Sequence, residues 1–81
     1  MTYYSYILKS LKTGTYYYGS TANIDKRLKL HNAGKVNYTK PKRPWVLHFS
    51  ETHLTRSDAF RREYFYKSID GYNFLKDQGI I

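Results

Sequence analysis

Residues 3–19 read YYSYILKSLKTGTYYYG, two runs of strand-forming residues separated by a turn. The runs Tyr3–Leu8 and Thr15–Gly19 are rich in aromatic and aliphatic side chains, which fit a pleated, half-buried surface. Between them, Lys9–Gly14 supplies residues that are typical of turns. The stretch therefore predicts a β-hairpin at the start of the chain.

A helix is predicted directly after this hairpin. Asn23 is a suitable N-cap, Ile24–His31 suits a helix, and Gly34 can end it after Asn32. A basic loop follows over residues 35–44 and contains two prolines. The hairpin and the helix are thus followed by a segment that favours neither strand nor helix.

The second half of the chain predicts one strand and two helices. Thr55 or Ser57 can cap the first of these helices, and Gly71 separates it from the second. The predicted elements are a strand at Trp45–Ser50, a helix from Asp58 to about Ile69 and a short helix at Tyr72–Gln78. This order indicates an α+β fold in which a small antiparallel sheet of three strands is flanked by helices.

Length and charge restrict the class of protein. The 81 residues suit one domain over positions 1–81, and the absence of cysteine excludes disulfides and cysteine-based zinc sites. Fourteen Lys and Arg against six Asp and Glu give a net charge of +8, which favours a nucleic acid or an anionic surface as partner. No run suits a transmembrane span or a secretory signal, so we expect a cytoplasmic protein that binds nucleic acid and no membrane.

Two polar residues interrupt the apolar face of the first predicted helix. Ile24, Arg27, Leu28 and His31 share one face by helical periodicity. In a functional interpretation, Arg27 points into a cleft toward phosphate, which its planar guanidinium suits. In a structural interpretation, its stem lies along apolar surface with the charged group in water. The helix alone leaves both open.

The next helix carries a carboxylate in its apolar face. Ala59, Phe60 and Tyr66 define that face, and Glu63 projects through its middle. Glu63 is either a ligand for a hard divalent cation or half of an i,i+4 ion pair with Lys67. The other five carboxylates form no close cluster in sequence, so a two-metal site is not expected, and the histidines lack the spacing of a zinc motif.

The loop between the first helix and the third strand is the most basic segment of the chain. Its cations are Lys35, Lys40, Lys42 and Arg43. We expect them to bind backbone phosphates, which would make affinity fall steeply with salt. The alternative is a solvated loop without a partner.

Several of these residues together resemble the GIY-YIG nucleases. The strand YIL at 6–8, the stretch YYGST at 17–21 and Arg27, eight residues beyond Gly19, are similar to the paired tripeptides and downstream arginine of that family. The stretches LHNAGK at 30–35, YTK at 38–40 and AFRRE at 59–63 resemble its small stand-alone bacterial branch. The first motif has Tyr4-Ser5 in place of Gly-Ile, and the second has Tyr18 in place of isoleucine.

The resemblance implies a fold and a set of roles. It implies an α/β/α-layered domain, similar to the nuclease domain of the excision-repair incision protein, with Tyr6 and Tyr17 facing one another across the hairpin. Arg27 would contact the scissile phosphate, and Glu63 would bind one Mg²⁺ or Mn²⁺ ion. Tyr6 would orient or deprotonate the attacking water, with Tyr17 and His31 in support by hydrogen bonds. The roles of the two tyrosines can be interchanged.

The expected function is hydrolysis of phosphodiester bonds by a metal-dependent endonuclease. The substrate would be DNA, in single-stranded, branched or repair intermediates, with RNA left open. The protein would act as a monomer or a weak homodimer. Two alternatives fit the charge equally well: a nucleic-acid-binding module that has lost effective catalysis, and a small basic protein that associates with ribosomes or has another interaction role.

Overall fold

A computed structural model describes residues 1–81 and contains one three-stranded sheet and three α-helices. The sheet is antiparallel, with β1 between β2 and β3. The elements in chain order are β1 (Tyr3–Ser10), β2 (Tyr16–Thr21), α1 (Ile24–Asn32), a short 3-10 helix (Lys40–Lys42), β3 (Trp45–His53), α2 (Arg56–Tyr66) and α3 (Ile69–Asp77). The predicted α+β class and the small antiparallel sheet are confirmed.

The two faces of the sheet are covered by different helices. On one face, Tyr6, Leu8 and Trp45 form a buried cluster against which α1 packs through Ile24 and Leu28. The other face carries a second cluster, whose buried members are Ile7 of β1, Tyr66 of α2 and Leu75 of α3. Because neighbouring residues of a strand point to opposite faces, β1 supplies both clusters. The arrangement is therefore layered as helix, sheet, helices.

Side-chain caps begin all three helices. The side chain of Asn23 accepts from the Lys26 amide, as the sequence predicted, and Thr55 rather than Ser57 caps α2. Ser68 caps α3 by accepting from the Gly71 amide. Each bond satisfies an amide that has no partner inside its own helix.

The predicted boundary between the last two helices is wrong. α2 ends at Tyr66 and α3 already begins at Ile69, so Gly71 lies inside α3 rather than before it. A β-carbon on Gly71 would lie only 1.6 Å from the carbonyl oxygen of Phe65. The glycine is there because the two helices meet at close range, and the sequence alone suggested a break.

The end of the chain packs on the sheet. Ile80 and Ile81 are partly buried against the cluster around Ile7. None of the helices has the length and the apolar character that crossing a membrane requires.

Candidate active site

Gly19 in the edge strand β2 makes room for the side chain of Tyr6. The two residues are paired in the β1–β2 ladder. A β-carbon on Gly19 would lie 2.4 Å from the Tyr6 phenol oxygen and 2.5 Å from the ring carbon that bears it. The phenol of Tyr6 therefore passes over the glycine, and any side chain at position 19 would displace it.

A chain of hydrogen bonds leads from Tyr6 into the protein. The Tyr6 phenol oxygen lies 3.2 Å from Nε2 of His31, and Nδ1 of His31 lies 2.8 Å from the hydroxyl of Thr39. All three side chains are buried. They come from β1, α1 and the basic loop, so the site joins three separate parts of the chain.

Thr39 fixes the direction of these bonds. Its hydroxyl donates to the Val36 carbonyl at 3.3 Å, so its oxygen accepts from Nδ1–H of His31. The Nε2 atom of His31 then has a lone pair and accepts from the Tyr6 phenol. His31 is thus held as the neutral tautomer that can take up a proton at Nε2.

Tyr17 lies on the same face of the sheet but not opposite Tyr6. Its partner in the ladder is Leu8, two residues further along β1. Its ring contacts His31 edge-on, with centroids 4.9 Å apart, and lies 5.9 Å from the ring of Tyr38. The two tyrosines therefore meet through His31, and the expectation that they face one another across the hairpin is wrong, because Gly19 holds that position.

Arg27 lies beside this group with its Nε buried and without any hydrogen-bond partner. A buried donor of this kind is costly, since its bond to water is lost and nothing replaces it. The guanidinium of Arg27 lies close enough to the Tyr6 phenol to oppose the rise in that group's pKa, so Arg27 and Tyr6 belong to one group of side chains.

Glu63 belongs to the other helical layer. It is on α2, its side chain is 15% exposed, and one carboxylate oxygen accepts from the hydroxyl of Ser20 at 2.8 Å. The other oxygen lies 2.8 Å from Nζ of Lys67, so the ion pair proposed from the sequence is present. Ser20 follows Gly19 in β2, and the carboxylate therefore lies against the same strand, on the face of the sheet opposite to the Tyr6 side chain.

Burial and nearby charges alter the acidity of three groups. Burial raises the pKa of Tyr6 to about 12, against the opposing effect of the Arg27 guanidinium. Burial also lowers the pKa of His31, and the Arg27 charge lowers it further. The hydrogen bond to Glu63 raises the pKa of Lys67. At neutral pH the site thus holds a neutral phenol, a neutral imidazole and a charged ammonium.

The basic loop is attached to this site by its own side chains. The indole Nε1 of Trp45 donates to the Thr39 carbonyl at 2.9 Å, and Asn32 bonds both the amide and the carbonyl of Trp45. Nε of Arg43 donates to the Lys40 carbonyl at 2.9 Å, and Nζ of Lys42 lies 4.8 Å above the Tyr38 ring. Lys35 and Lys40 are exposed.

Sequence reasoning missed two residues of the site. Thr39 holds the His31 imidazole, and Ser20 holds the Glu63 carboxylate. Thr39 lies in a loop where no periodicity indicates burial, and its signal was its place in the family-like stretch YTK at 38–40. Ser20 likewise lies in the family-like stretch YYGST at 17–21, but its residue type indicated no role.

Comparison with known proteins identifies the class. A model of the GIY-YIG catalytic domain matches residues 2–72. The chain therefore belongs to the GIY-YIG family and has the architecture of a nuclease-type catalytic domain. The resemblance seen in the motifs is confirmed.

Its relatives include small proteins of the UPF0213 group. The chain is 41% identical over 73 residues to a UPF0213 protein of Bacillus licheniformis, covering 89% of this chain and 74% of that protein. It is 43% identical over 75 residues to one of Staphylococcus haemolyticus, covering 91% and 90%. The solution NMR structure of a UPF0213 protein from Bacillus halodurans superposes with a TM-score of 0.55 at 33% identity, over 96% of this chain and 85% of that one.

Nucleases of this family generally use divalent metal ions. The carboxylate of Glu63 fits such an ion, because Mg²⁺ and Mn²⁺ prefer hard oxygen ligands and are often held by one or two carboxylates, water and phosphate. The hydroxyl of Ser20 lies beside the same carboxylate. The chemistry of Glu63 thus suits one cation, although no group of three or more acidic, histidine or cysteine side chains surrounds it.

Proposed function

We propose that this protein is a divalent-metal-dependent endonuclease that hydrolyses phosphodiester bonds in DNA. The substrates would be single-stranded, branched or repair intermediates, with DNA lying across the β2 edge. Residues 1–81 would act as one catalytic domain, as a monomer or a weak homodimer. The catalytic residues would be Tyr6, Tyr17, Arg27, His31 and Glu63.

The observation that carries this proposal is a buried Nε of Arg27 that has no hydrogen-bond partner. Arg27 lies beside the hydrogen-bonded chain formed by Tyr6, His31 and Thr39. A protein that only needed to fold would gain by pairing this donor or replacing it with an apolar group. The guanidinium instead lies close to the Tyr6 phenol, a position that suits an oxygen that arrives with the substrate. A non-bridging oxygen of the scissile phosphate has the charge and the geometry to accept this bond.

The hydrogen bonds give the attacking water a route for its proton. With its pKa raised to about 12, Tyr6 does not act as a free phenolate at neutral pH. Instead, the phenol oxygen takes a proton from water while the phenol proton moves to Nε2 of His31. The water oxygen then bonds to phosphorus while the bond from phosphorus to the leaving oxygen breaks. The leaving oxygen keeps the electron pair of that bond and takes a proton from solvent. His31 ends this step as the imidazolium.

The remaining residues hold the reacting groups. Arg27 would bind a non-bridging oxygen and stabilise the charge that develops on the phosphate. Tyr17 packs against the His31 ring and keeps it in line with Tyr6. Glu63 would hold the cation, which would supply further positive charge for the phosphate and the leaving oxygen.

The basic loop would hold DNA outside the reacting centre. Lys35, Lys40, Lys42 and Arg43 would contact backbone phosphates. The guanidinium of Arg43 is partly engaged with backbone carbonyls, while the three lysines are not hydrogen-bonded through Nζ. We therefore expect the lysines to contribute more to DNA affinity than Arg43.

The test is cleavage of labelled single-stranded, duplex and forked DNA in magnesium, manganese or chelator. We expect metal-dependent cutting by the wild type and none by Glu63→Gln, which keeps the shape of the side chain and removes its charge. Asp77→Asn, at the far end of α3, is the matched control and should cut normally. DNA binding without cutting by any of the three proteins would instead support a binding module on a nuclease fold.

A further inference from the structure

Both oxygens of the Glu63 carboxylate are engaged by side chains of the protein itself. The Ser20 hydroxyl donates to one oxygen and the Lys67 ammonium to the other, each at 2.8 Å. The carboxylate is only 15% exposed, whereas Lys67 is 48% exposed. The carboxylate is thus the more buried member of the pair, and its cationic partner is the more exposed one.

The two donors differ in what they do when a metal ion approaches. A hydroxyl can rotate its proton away and turn a lone pair toward the ion. An ammonium has no lone pair and keeps its charge. An ammonium and a divalent cation a few Å apart repel each other, so Lys67 must leave its oxygen when a metal binds there.

The side chain of Lys67 has space beside it that its ammonium group can occupy. It borders a cleft of about 440 Å³ whose other walls are the rings of Tyr16, Tyr17, Tyr18 and Tyr38. Tyr17 also contacts His31, so this cleft borders the proposed catalytic residues. A phosphate of a nucleic acid lying along the β2 edge would offer the ammonium a new partner there.

We propose that Lys67 is the internal counter-ion of Glu63 and gives up the carboxylate when it pairs with a phosphate of the bound nucleic acid. This inference rests on the proposed function. In the free protein, Lys67 keeps the affinity for divalent cations low. Nucleic acid removes this competition, so metal and substrate bind cooperatively, and each raises the affinity for the other by the same factor.

The experiment measures Mn²⁺ affinity directly, from the spin-resonance signal of the unbound ion, and needs no cleavage. Lys67→Met keeps the aliphatic stem and removes the charge, and Lys67→Arg keeps the charge. Lys76→Met is the matched control, since Nζ of Lys76 lies 5.8 Å from the ring of Tyr72 much as Lys67 lies 5.9 Å from that of Tyr64. Each is measured alone and with a single-stranded oligonucleotide of DNA.

Without DNA, we expect Lys67→Met to bind Mn²⁺ at least about fivefold more tightly than the wild type, at the lower end of the range for coupled sites. Lys76→Met should match the wild type, and Lys67→Arg should stay within about twofold of it, on the same scale of coupling. With DNA, the affinity of the wild type should rise, and that of Lys67→Met should rise much less.

Two results would overturn this proposal, and they are distinguishable. If Glu63→Gln abolishes Mn²⁺ binding but Lys67→Met binds no more tightly than the wild type, Lys67 is not the competitor, and the proposed function stands. If Glu63→Gln leaves Mn²⁺ binding unchanged, Glu63 is not the ligand, and both proposals fail.

Discussion

Gly19 lies opposite Tyr6 in the β1–β2 ladder, so close that a β-carbon at position 19 would lie 2.4 Å from the phenol oxygen. The ring itself comes within 2.5 Å of the same point, so rotation of the hydroxyl cannot relieve the contact. The absence of one methyl group thus determines where Tyr6 places its phenol.

Gly19→Ala should therefore lower both stability and activity. Forcing a methyl group into a packed site costs about 1–3 kcal/mol, which for a domain of this size lowers Tm by at least about 4 °C. The displaced phenol should also slow DNA cleavage about 100-fold, because small errors in the position of a reacting group are costly. Thermal unfolding and single-turnover cleavage check this, and a variant with wild-type values of both would contradict the packing argument.

Arg27→Met should separate activity from stability. The substitution removes a buried donor that has no partner, so the free energy of unfolding should change by less than about 1 kcal/mol. Loss of a phosphate-binding group should lower the cleavage rate about 100- to 1,000-fold. Arg61→Met, on the exposed side of α2, is the control. A large loss of stability with normal cleavage would show that Arg27 is structural.

His31 should make stability depend on pH below about 6.5. Its pKa is lowered in the folded protein, so the unfolded chain binds the proton first as the pH falls. The contribution of His31 to the free energy of unfolding is therefore complete above the pKa that it has in the unfolded chain. As the pH falls from that value to the lower pKa of the folded protein, the contribution is lost by at most about 1.4 kcal/mol per pH unit. Denaturant unfolding between pH 5 and 7 measures this slope.

The control variants for this slope are His31→Gln and His48→Gln. The slope should shrink in His31→Gln and persist in His48→Gln, because His48 is exposed. Glu51, whose pKa is lowered by Arg62 and Tyr66 despite its burial, loses its contribution only at lower pH, below its ordinary pKa. An unchanged slope in His31→Gln would exclude the assigned role of His31 in this pH range.

Thr39→Val should impair catalysis by releasing the His31 ring. The valine has the same shape but cannot accept from Nδ1–H, so the tautomer with a free Nε2 is no longer favoured. We expect kcat to fall about tenfold with little change in KM, since the threonine acts through His31 and touches no substrate. Thr39→Ser restores the hydroxyl and should restore most of the rate. Equal loss in both variants would point to packing alone.

Lysines of the basic loop should control the salt dependence of binding. Each lost phosphate contact lowers the slope of log affinity against log salt by about 0.7–0.9. We expect the double variant Lys40→Gln/Lys42→Gln to lower that slope by about 1.4–1.8, with an unchanged cleavage rate at saturating DNA. Fluorescence anisotropy over a salt series measures it, and Lys76→Gln on α3 is the control. A reduced rate at saturation would place these lysines in the reacting centre instead.

Local sequence was a good guide wherever a feature depends on near neighbours. The hairpin, the cap at Asn23 and the third strand followed from residue types and their spacing, although β3 continues to His53. The helix boundary near Gly71 failed for the opposite reason. Gly71 is required because the carbonyl of Phe65 in the neighbouring helix leaves no room for a β-carbon, whereas in the sequence a glycine looks like a helix end.

The sequence by itself determined the class of fold, the basic character and the residues that do not fit an apolar face, Arg27, His31 and Glu63. These are properties of composition and periodicity. Only the tertiary structure decided which of them meet. The register of the hairpin places Gly19, not Tyr17, opposite Tyr6. The basic loop folds back on α1, so that Thr39 contacts His31. Such contacts arise from the packing of distant segments, which local residue patterns do not encode.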